Sequence, residues 1–420
     1  MNRCLSFGLH CACAILCAVK SAPVSTLEMS AFLIRRLSGP ICIIICLGYF
    51  FAGLWPFNFR PRNNVEWLPD RKGLHFAHLS AVYGTGTLDF GGSVAPSNQP
   101  ESISIELSLQ PEHEPTRSLL PILSLYDDEL PVPLLIRQRN SDLLVRTHVP
   151  DAQGLLRNQE VSVAAGLHPG ARRTIVITLG RGGTYFYVDG VLAKAAPEMI
   201  VLPERLRGRL ILGNVPEGSR GWVGNMFGLA VFNRPLAAAE VARHFRIWAG
   251  GRSQELQSEP GLVALYRFDE GTGRTIVDHS SSGQSLSILE YYHVFRRTFL
   301  GKDSARIFDM AINVAGFVPF GVFCFLYFVH IRPGLTLFNA VLTVVLSSTI
   351  SAAIELIQAY LPTRFSSLTD LICNTAGAMV GVIMAFAAVS ALHALTLGKK
   401  DSHLPTRPTQ DTAVRASSTS

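Results

Sequence analysis

No cysteine occurs between Phe51 and Phe323; all eight stand at positions 4, 11, 13, 17, 42, 46, 324 and 373. The large middle region therefore has neither a disulfide framework nor a thiolate metal site. The histidines are scattered and never spaced H-x-x-x-H, so a zinc motif on one helix face is excluded. Charge is sparse, at 16% of residues, and the formal net charge is only +6. No basic run is interleaved with aromatic residues, so nucleic acid is not an expected partner. There is no dense D-x-D pattern of the calcium-loop kind. There is also no E-x-D-x-E strand motif to supply the facing carboxylates of a glycosidase.

What is present is apolar. Hydrophobic residues make up 48% of the 420, and the mean hydropathy is +0.28. That is high for a soluble protein and low for one embedded throughout, so a mixed chain of two or three domains is expected. Residues 1–38 form an N-terminal segment. Its uncharged stretch Cys4–Val19 resembles a signal-peptide core, or the start is over-extended and the working N-terminus is Met29. Residues 39–59 carry no charge and reach about 30 Å as a helix, the thickness of a bilayer's hydrocarbon core. Trp55, Phe57 and Phe59 at the far end read as an interfacial belt.

Residues 60–290 differ in character. Ser102–Leu109 alternates with period two, as a half-buried strand does. Arg173–Leu179 and Thr184–Val188 flank a Gly-rich turn, Asp189-Gly190 signals another, and Leu210–Gly213, Phe227–Phe232 and Leu262–Phe268 read as further strands. Ala237–Trp248 is the one helical pattern here. Many short strands with Gly-rich turns predict an all-β sandwich. Residues 300–398 hold three more apolar segments, and residues 399–420 are a polar tail whose composition predicts disorder. The fold class expected is multidomain α+β: a four-helix transmembrane bundle plus a sandwich. Arg35-Arg36, Arg332 and Lys399-Lys400 share one side if both termini are cytoplasmic. The sandwich is then extracytoplasmic, and the chain is a multi-pass protein of the cell membrane.

Polar residues recur inside the apolar segments. Asp309-x-x-x-Asn313-x-x-Gly316 and Asp370-x-x-x-Asn374-x-x-Gly377 repeat one pattern, in which each Asp, Asn and Gly shares a helix face. Glu355 and Gln358 form an E-x-x-Q pair, and Arg364 lies in the following loop. Such groups inside membrane spans mark functional or packing sites. One reading is an outward-facing polar pocket of Asp309, Asn313, Glu355, Gln358, Arg364, Asp370 and Asn374. The other is interhelical hydrogen bonding, with Gly316, Gly321, Gly377 and Gly381 allowing close approach.

These motifs resemble the VanZ family, in Asn313-Val-Ala-Gly-Phe-Val-Pro-Phe-Gly321, in Glu355-Leu-Ile-Gln358, and in Arg364 followed by Asp370-Leu-Ile-Cys-Asn374-Thr-Ala-Gly377. A second acidic residue common in that family is replaced here by Ser367 or Leu368. The resemblance implies a membrane bundle and no settled reaction. The middle region resembles laminin-G-like, concanavalin A-like jelly rolls in Tyr185-Phe-Tyr-Val-Asp-Gly-Val191, in Phe232-Asn-Arg-Pro-Leu-Ala-Ala-Ala-Glu-Val241, and in Leu262–Gly271 through Asp278–Gly283. It implies carbohydrate or protein binding, with Asp269, Glu270 and Asp278 as a candidate calcium or ligand loop. The function expected is a cell-envelope protein, non-enzymatic and without catalytic residues, that rests in the lipid bilayer and displays a sandwich for a glycan or protein. No cofactor is expected beyond that calcium ion. The rival is a membrane enzyme or transporter acting on a lipid-linked envelope precursor through Glu355, Arg364 and Asp370.

Overall fold

The computed structural model describes residues 24–69, 72–90, 100–112, 119–127, 132–150, 156–164, 166–218, 221–301 and 307–401. The signal-like stretch and most of the polar tail lie outside them. Five α-helices are described: α1 (Val24–Leu54), α2 (Ala238–Ala249), α3 (Ile307–Ile331), α4 (Thr336–Gln358) and α5 (Leu368–Asp401). The chain divides into two compact units. One holds the described residues up to Trp55 together with Phe299–Gln358 and those from Ser366 onward, and the other holds Pro56–Thr298 with Ala359–Phe365.

In the first unit α1, α3, α4 and α5 are each long and apolar enough to cross a membrane. Helix α1 stops at Leu54, short of the expected residue 59. Pro56 explains the stop, because a proline disfavours helical backbone at the residue before it and cannot donate to the preceding turn. Helix α5 runs beyond residue 398 to Asp401, so Lys399-Lys400 belongs to it.

The second unit is a sandwich of two antiparallel sheets. The first orders β1 (Val65–Trp67), β2 (Leu74–Phe76), β14 (Gly224–Phe232), β5 (Ser102–Pro111), β10 (Arg173–Gly180), β11 (Gly183–Val188) and β12 (Val191–Ala196), with β15 (Leu262–Tyr266) paired to β14. The second orders β16 (Thr275–Ile276), β17 (Leu286–Ser287), β3 (Val82–Gly84), β13 (Arg207–Leu212), β6 (Leu120–Tyr126), β7 (Leu134–Arg139), β8 (Asp142–Pro150) and β9 (Leu156–Val163), with β4 (Leu88–Asp89) paired to β13. Asp189 and Gly190, with φ of 51° and 84°, turn β11 into β12. Both angles are positive, as the primed turn of a two-residue hairpin requires.

Inward side chains of the two sheets, among them Phe76, Leu107, Ile177, Phe186, Leu212 and Trp222, form one core. Trp222 is fully buried and donates its Nε1–H to Gln138 Oε1 at 2.7 Å. The ends of the unit are fastened to each other. Arg62 bridges Tyr291, Asn63 N donates to Glu290 O at 3.1 Å, and Tyr292 N donates to Pro61 O at 2.9 Å.

One strand departs from its expected exposure. The polar residues Ser104, Glu106 and Ser108 of β5 are as buried as their apolar neighbours. Helix α2 is the reason. Its Val241, Ile247 and Trp248 cover the outer face of the first sheet with Val176, Ala230 and Phe232. Each such burial contributes about 1.5–3 kcal/mol. The polar residues beneath are satisfied: Ser104 Oγ lies 2.9 Å from Thr178 Oγ1 and donates to Arg234 O, and Ser108 Oγ accepts from Arg172 at 3.1 Å.

Candidate functional site

In the helical unit Asn313, Asp370, Ser367 and Glu355 are linked in a chain of hydrogen bonds, and Asn374 and Gln358 bond beside it. Asn313 of α3 donates from Nδ2 to Asp370 Oδ1 of α5 at 2.7 Å. Asn374 Nδ2 donates to Ser351 Oγ of α4 at 2.9 Å. Gln358 Nε2 donates to Gly53 O of α1 at 2.8 Å. Glu355 is only 3% exposed, and its Oε2 accepts the backbone N–H of Ser367 at 2.7 Å. Ser367 is the N-cap of α5, with its Oγ accepting the Asp370 N–H at 3.2 Å. A buried carboxylate beside the N-terminus of a helix is favourably placed, since unsatisfied N–H groups and the positive end of the helix dipole face it.

The same corner is zipped by backbone. Gly301 N donates to Ser366 O at 2.9 Å, Leu368 N donates to Gly301 O at 3.1 Å, and Ser366 Oγ accepts from Leu300 N at 2.9 Å. Glu355 thus ties α4 to the cap of α5, and Ser366 and Leu368 tie that cap to the approach to α3. Asp309 is exposed at the start of α3. Arg364 is exposed on the Ala359–Phe365 segment, which groups with the other compact unit.

The glycines divide into two kinds. A Cβ at Gly377 would collide with Val314 O, one at Gly321 with Ala378 O, and one at Gly381 with Val318 O. Helices α3 and α5 therefore meet backbone to backbone, as small residues permit in membranes. Gly316 differs: a Cβ there would meet nothing within 4 Å, and its carbonyl instead accepts the Tyr49 hydroxyl at 2.5 Å.

The sequence reading missed a buried polar stripe on α4. Asn339, Thr343, Ser347 and Ser351 are fully buried and stand at four-residue steps leading to Glu355. The i, i+4 recurrence of polar residues in an apolar segment was the available signal. Thr343 satisfies its hydroxyl on Asn339 O at 2.8 Å, within the helix.

In the sandwich the three loop acids have different roles. Asp278 accepts from Leu265 N and Ser280 N through Oδ1, and from Ser280 Oγ, Ser282 Oγ and Gln284 N through Oδ2, all within 3.1 Å. Those donors use its lone pairs, and the residue builds the turn. Asp269, Glu270 and His279 bring one ligand atom each within 4.8 Å of one another. Lys72 and Arg267 lie 3.6 and 3.4 Å from Asp269 and already supply countercharge. Two cations and an imidazole do not make the oxygen-rich, anionic cage that calcium selects.

A second missed feature lies under α2. Glu106 and His244 are both fully buried. His244 Nδ1 donates to Glu106 Oε1 at 2.7 Å, and Trp248 Nε1 donates to Oε2 at 2.9 Å. The helix begins with Glu240 Oε2 accepting the Ala237 N–H at 2.8 Å. Its carboxyl is held down to about 2 by the Arg234 guanidinium, which binds both oxygens.

Residues 264–389 match the VanZ/LLP1 family model. Residues 93–242 match that of the concanavalin A-like lectin/glucanases superfamily. The chain joins a VanZ-like membrane segment to a concanavalin A-like sandwich. It is a membrane protein of multidomain α+β class. The VanZ-like match opens within β15, before the first helix that follows the sandwich. No curated protein matches the chain. Among solved structures, the native heptameric SAP-like pentraxin of Limulus polyphemus is 12% identical, with 44% of this chain and 79% of that one covered and a TM-score of 0.30. The Ruminococcus gnavus IT-sialidase CBM40 bound to α2,3-sialyllactose is 13% identical, with 42% and 96% covered and a TM-score of 0.31. A botulinum neurotoxin type C chain is 11% identical at a TM-score of 0.31, and this chain spans only 45% of its length. Likeness at this level concerns the fold alone.

Proposed function

We propose that this VanZ-like chain is a multi-pass protein of the cell envelope that displays its sandwich outside the membrane to bind a glycan or protein ligand. The observation that carries the reading is an open cavity of about 350 Å³ on the outer face of the second sheet, lined by β6, β7 and β8 residues. Helix α2 covers the outer face of the first sheet, and Tyr292 with Phe295 covers Tyr83, Tyr126 and Ile211 on that of the second, so the part of the second sheet around the cavity is the face left for recognition. The cavity's size falls in the range of small-ligand sites. The bundle serves as anchor. Asn313, Glu355, Gln358, Asp370 and Asn374 are engaged in the pairings that join α1, α3, α4 and α5, and this supports packing over catalysis at Glu355 and Asp370. Arg35-Arg36, Arg332 and Lys399-Lys400 favour cytoplasmic termini.

Single cysteines in a cysteine-free background test the orientation. Thr272 and Thr363 are exposed in the sandwich and in the α4–α5 connection, and Gly334 is exposed in the α3–α4 connection. A membrane-impermeant thiol reagent on intact cells, permeabilised at the outer envelope where one exists, is expected to label Thr272→Cys and Thr363→Cys but not Gly334→Cys. Labelling of Gly334→Cys alone would invert the protein and replace the envelope ligand with a cytoplasmic partner.

A further inference from the structure

The cavity on the second sheet has a charge character that no sequence motif announced. Along β7, Leu134 and Ile136 point into the sandwich core, so Leu135 and Arg137 point out. Along β8, Leu143 and Val145 point in, and Leu144, Arg146 and His148 point out. The two strands pair with Leu135 opposite Arg146 and Arg137 opposite Leu144, which sets the two arginines diagonally across one face. Arg296, from the segment after β17, adds a third guanidinium to the rim. The carboxylate of Glu217 and His148 share the lining, and Leu135 and Val215 are among its apolar residues.

The carboxylates available do not balance these cations. Arg137 pairs with Glu160 of β9, and Arg296 lies 3.6 Å from Glu217. No ion pair among the described residues reaches Arg146. The Nε atoms of Arg137 and Arg146 are both buried without a hydrogen-bond partner. A guanidinium is always charged and presents its donors as a planar fork matched to a carboxylate. Leaving such donors desolvated and unpaired is costly. Burial and the like charge of Arg137 lower the pKa of Arg146, against the opposing pull of Glu160, which stands opposite it on β9, and of Glu217. The Nε atoms are buried, so an anion in the cavity would meet the terminal nitrogens of Arg146 and offset the like charge that Arg137 sets beside it. A neutral sugar would not.

The geometry points to an acidic saccharide as the ligand of this cavity, a sugar ring whose carboxylate is gripped by Arg146 with Arg137 beside it and whose apolar face rests on Leu135 and Val215. This inference rests on the reading of the sandwich as a glycan-binding module. A saccharide is favoured over a bare anion because the lining is mixed: an inorganic ion would use the guanidinium groups and leave the apolar wall uncovered.

The test uses the full chain in detergent micelles on an array of defined oligosaccharides. Galacturonate, glucuronate and sialylated members are each printed beside a methyl-esterified or neutral counterpart. Retention of at least one carboxylated member, tenfold or more above its counterpart, is expected. Arg146→Met, which approximates the aliphatic stem and removes the guanidinium, is expected to lose at least tenfold of that binding. Arg146→Lys, which keeps the charge without the fork, is expected to fall between them and guards against a misfolded Met variant. Equal binding of acidic and neutral members, unchanged in Arg146→Met, would overturn the acidic assignment and leave the glycan-binding reading standing. Binding of no member at all would overturn that reading itself. Displacement by inorganic sulfate or phosphate at the concentration at which the saccharide competes would reduce the cavity to a simple anion site and refute the sugar.

Discussion

Replacing Glu106 with alanine should be the most damaging single change in the sandwich. The carboxylate is fully buried and serves two donors on α2, His244 at 2.7 Å and Trp248 at 2.9 Å. Glu106→Ala removes both acceptors at once. Each orphaned buried donor costs about 1–3 kcal/mol. With two orphaned, a loss of about 2–6 kcal/mol is expected, a large part of the ~5–15 kcal/mol that holds a typical domain. Glu106→Gln retains one carbonyl acceptor and should lose about half as much. The assay is urea unfolding of the full chain in micelles, followed by tryptophan fluorescence, because Trp222 and Trp248 are both buried in this unit. A double-mutant cycle with His244→Ala should give a coupling of at least 1 kcal/mol. If Glu106→Ala stays within about 1 kcal/mol of the parent, the network does not fasten α2 and the account of the buried polar residues on β5 is wrong.

Glu355→Gln should preserve abundance, because its side-chain oxygen can still accept from Ser367 N, whereas Glu355→Ala should lower it; a Gln variant that folds normally but loses a cellular phenotype would favour the enzyme or transporter reading. Gly321→Val and Gly377→Val should abolish monodisperse elution in detergent, since each Cβ collides with a facing carbonyl, while Gly316→Ala should elute as the parent does. For Glu240 the folded pKa, about 2, lies below the ordinary 4.5. Its stabilisation is thus complete above 4.5 and is lost as pH falls toward 2. Acid titration of the fluorescence signal should show this component, and Glu240→Gln should remove it.

The parts legible in the sequence were those set by local pattern. Runs of uncharged residues marked three apolar segments within residues 300–398, where α3, α4 and most of α5 lie, and the Asp189-Gly190 and Gly180–Gly183 turns marked the β10–β12 meander. The strands that line the cavity were not read. Leu134-Leu135-Ile136 and Leu143-Leu144-Val145 are continuous apolar triplets, which hide the alternation that places Arg137 and Arg146 on one face. The Glu106 network joins residues 138 and 142 positions apart, beyond any local signal. In the bundle, the polar motifs located real meeting points, but Glu355 and Gln358 bond to the backbone of Ser367 and Gly53, groups that a side-chain pattern cannot name. Asp278 drew attention as an acid in a Gly-rich loop, and its role is to satisfy the donors of that loop.

The fastening of Arg62 and Pro61 to Tyr291 and Tyr292 bears on how such a chain can change over generations. A module whose entry and exit strands are tied together asks almost nothing of the sequences on either side of it. It can be cut out at its neck, exchanged for another, or grafted elsewhere as a cassette. The sandwich is therefore free to diversify while the membrane segment stays constant.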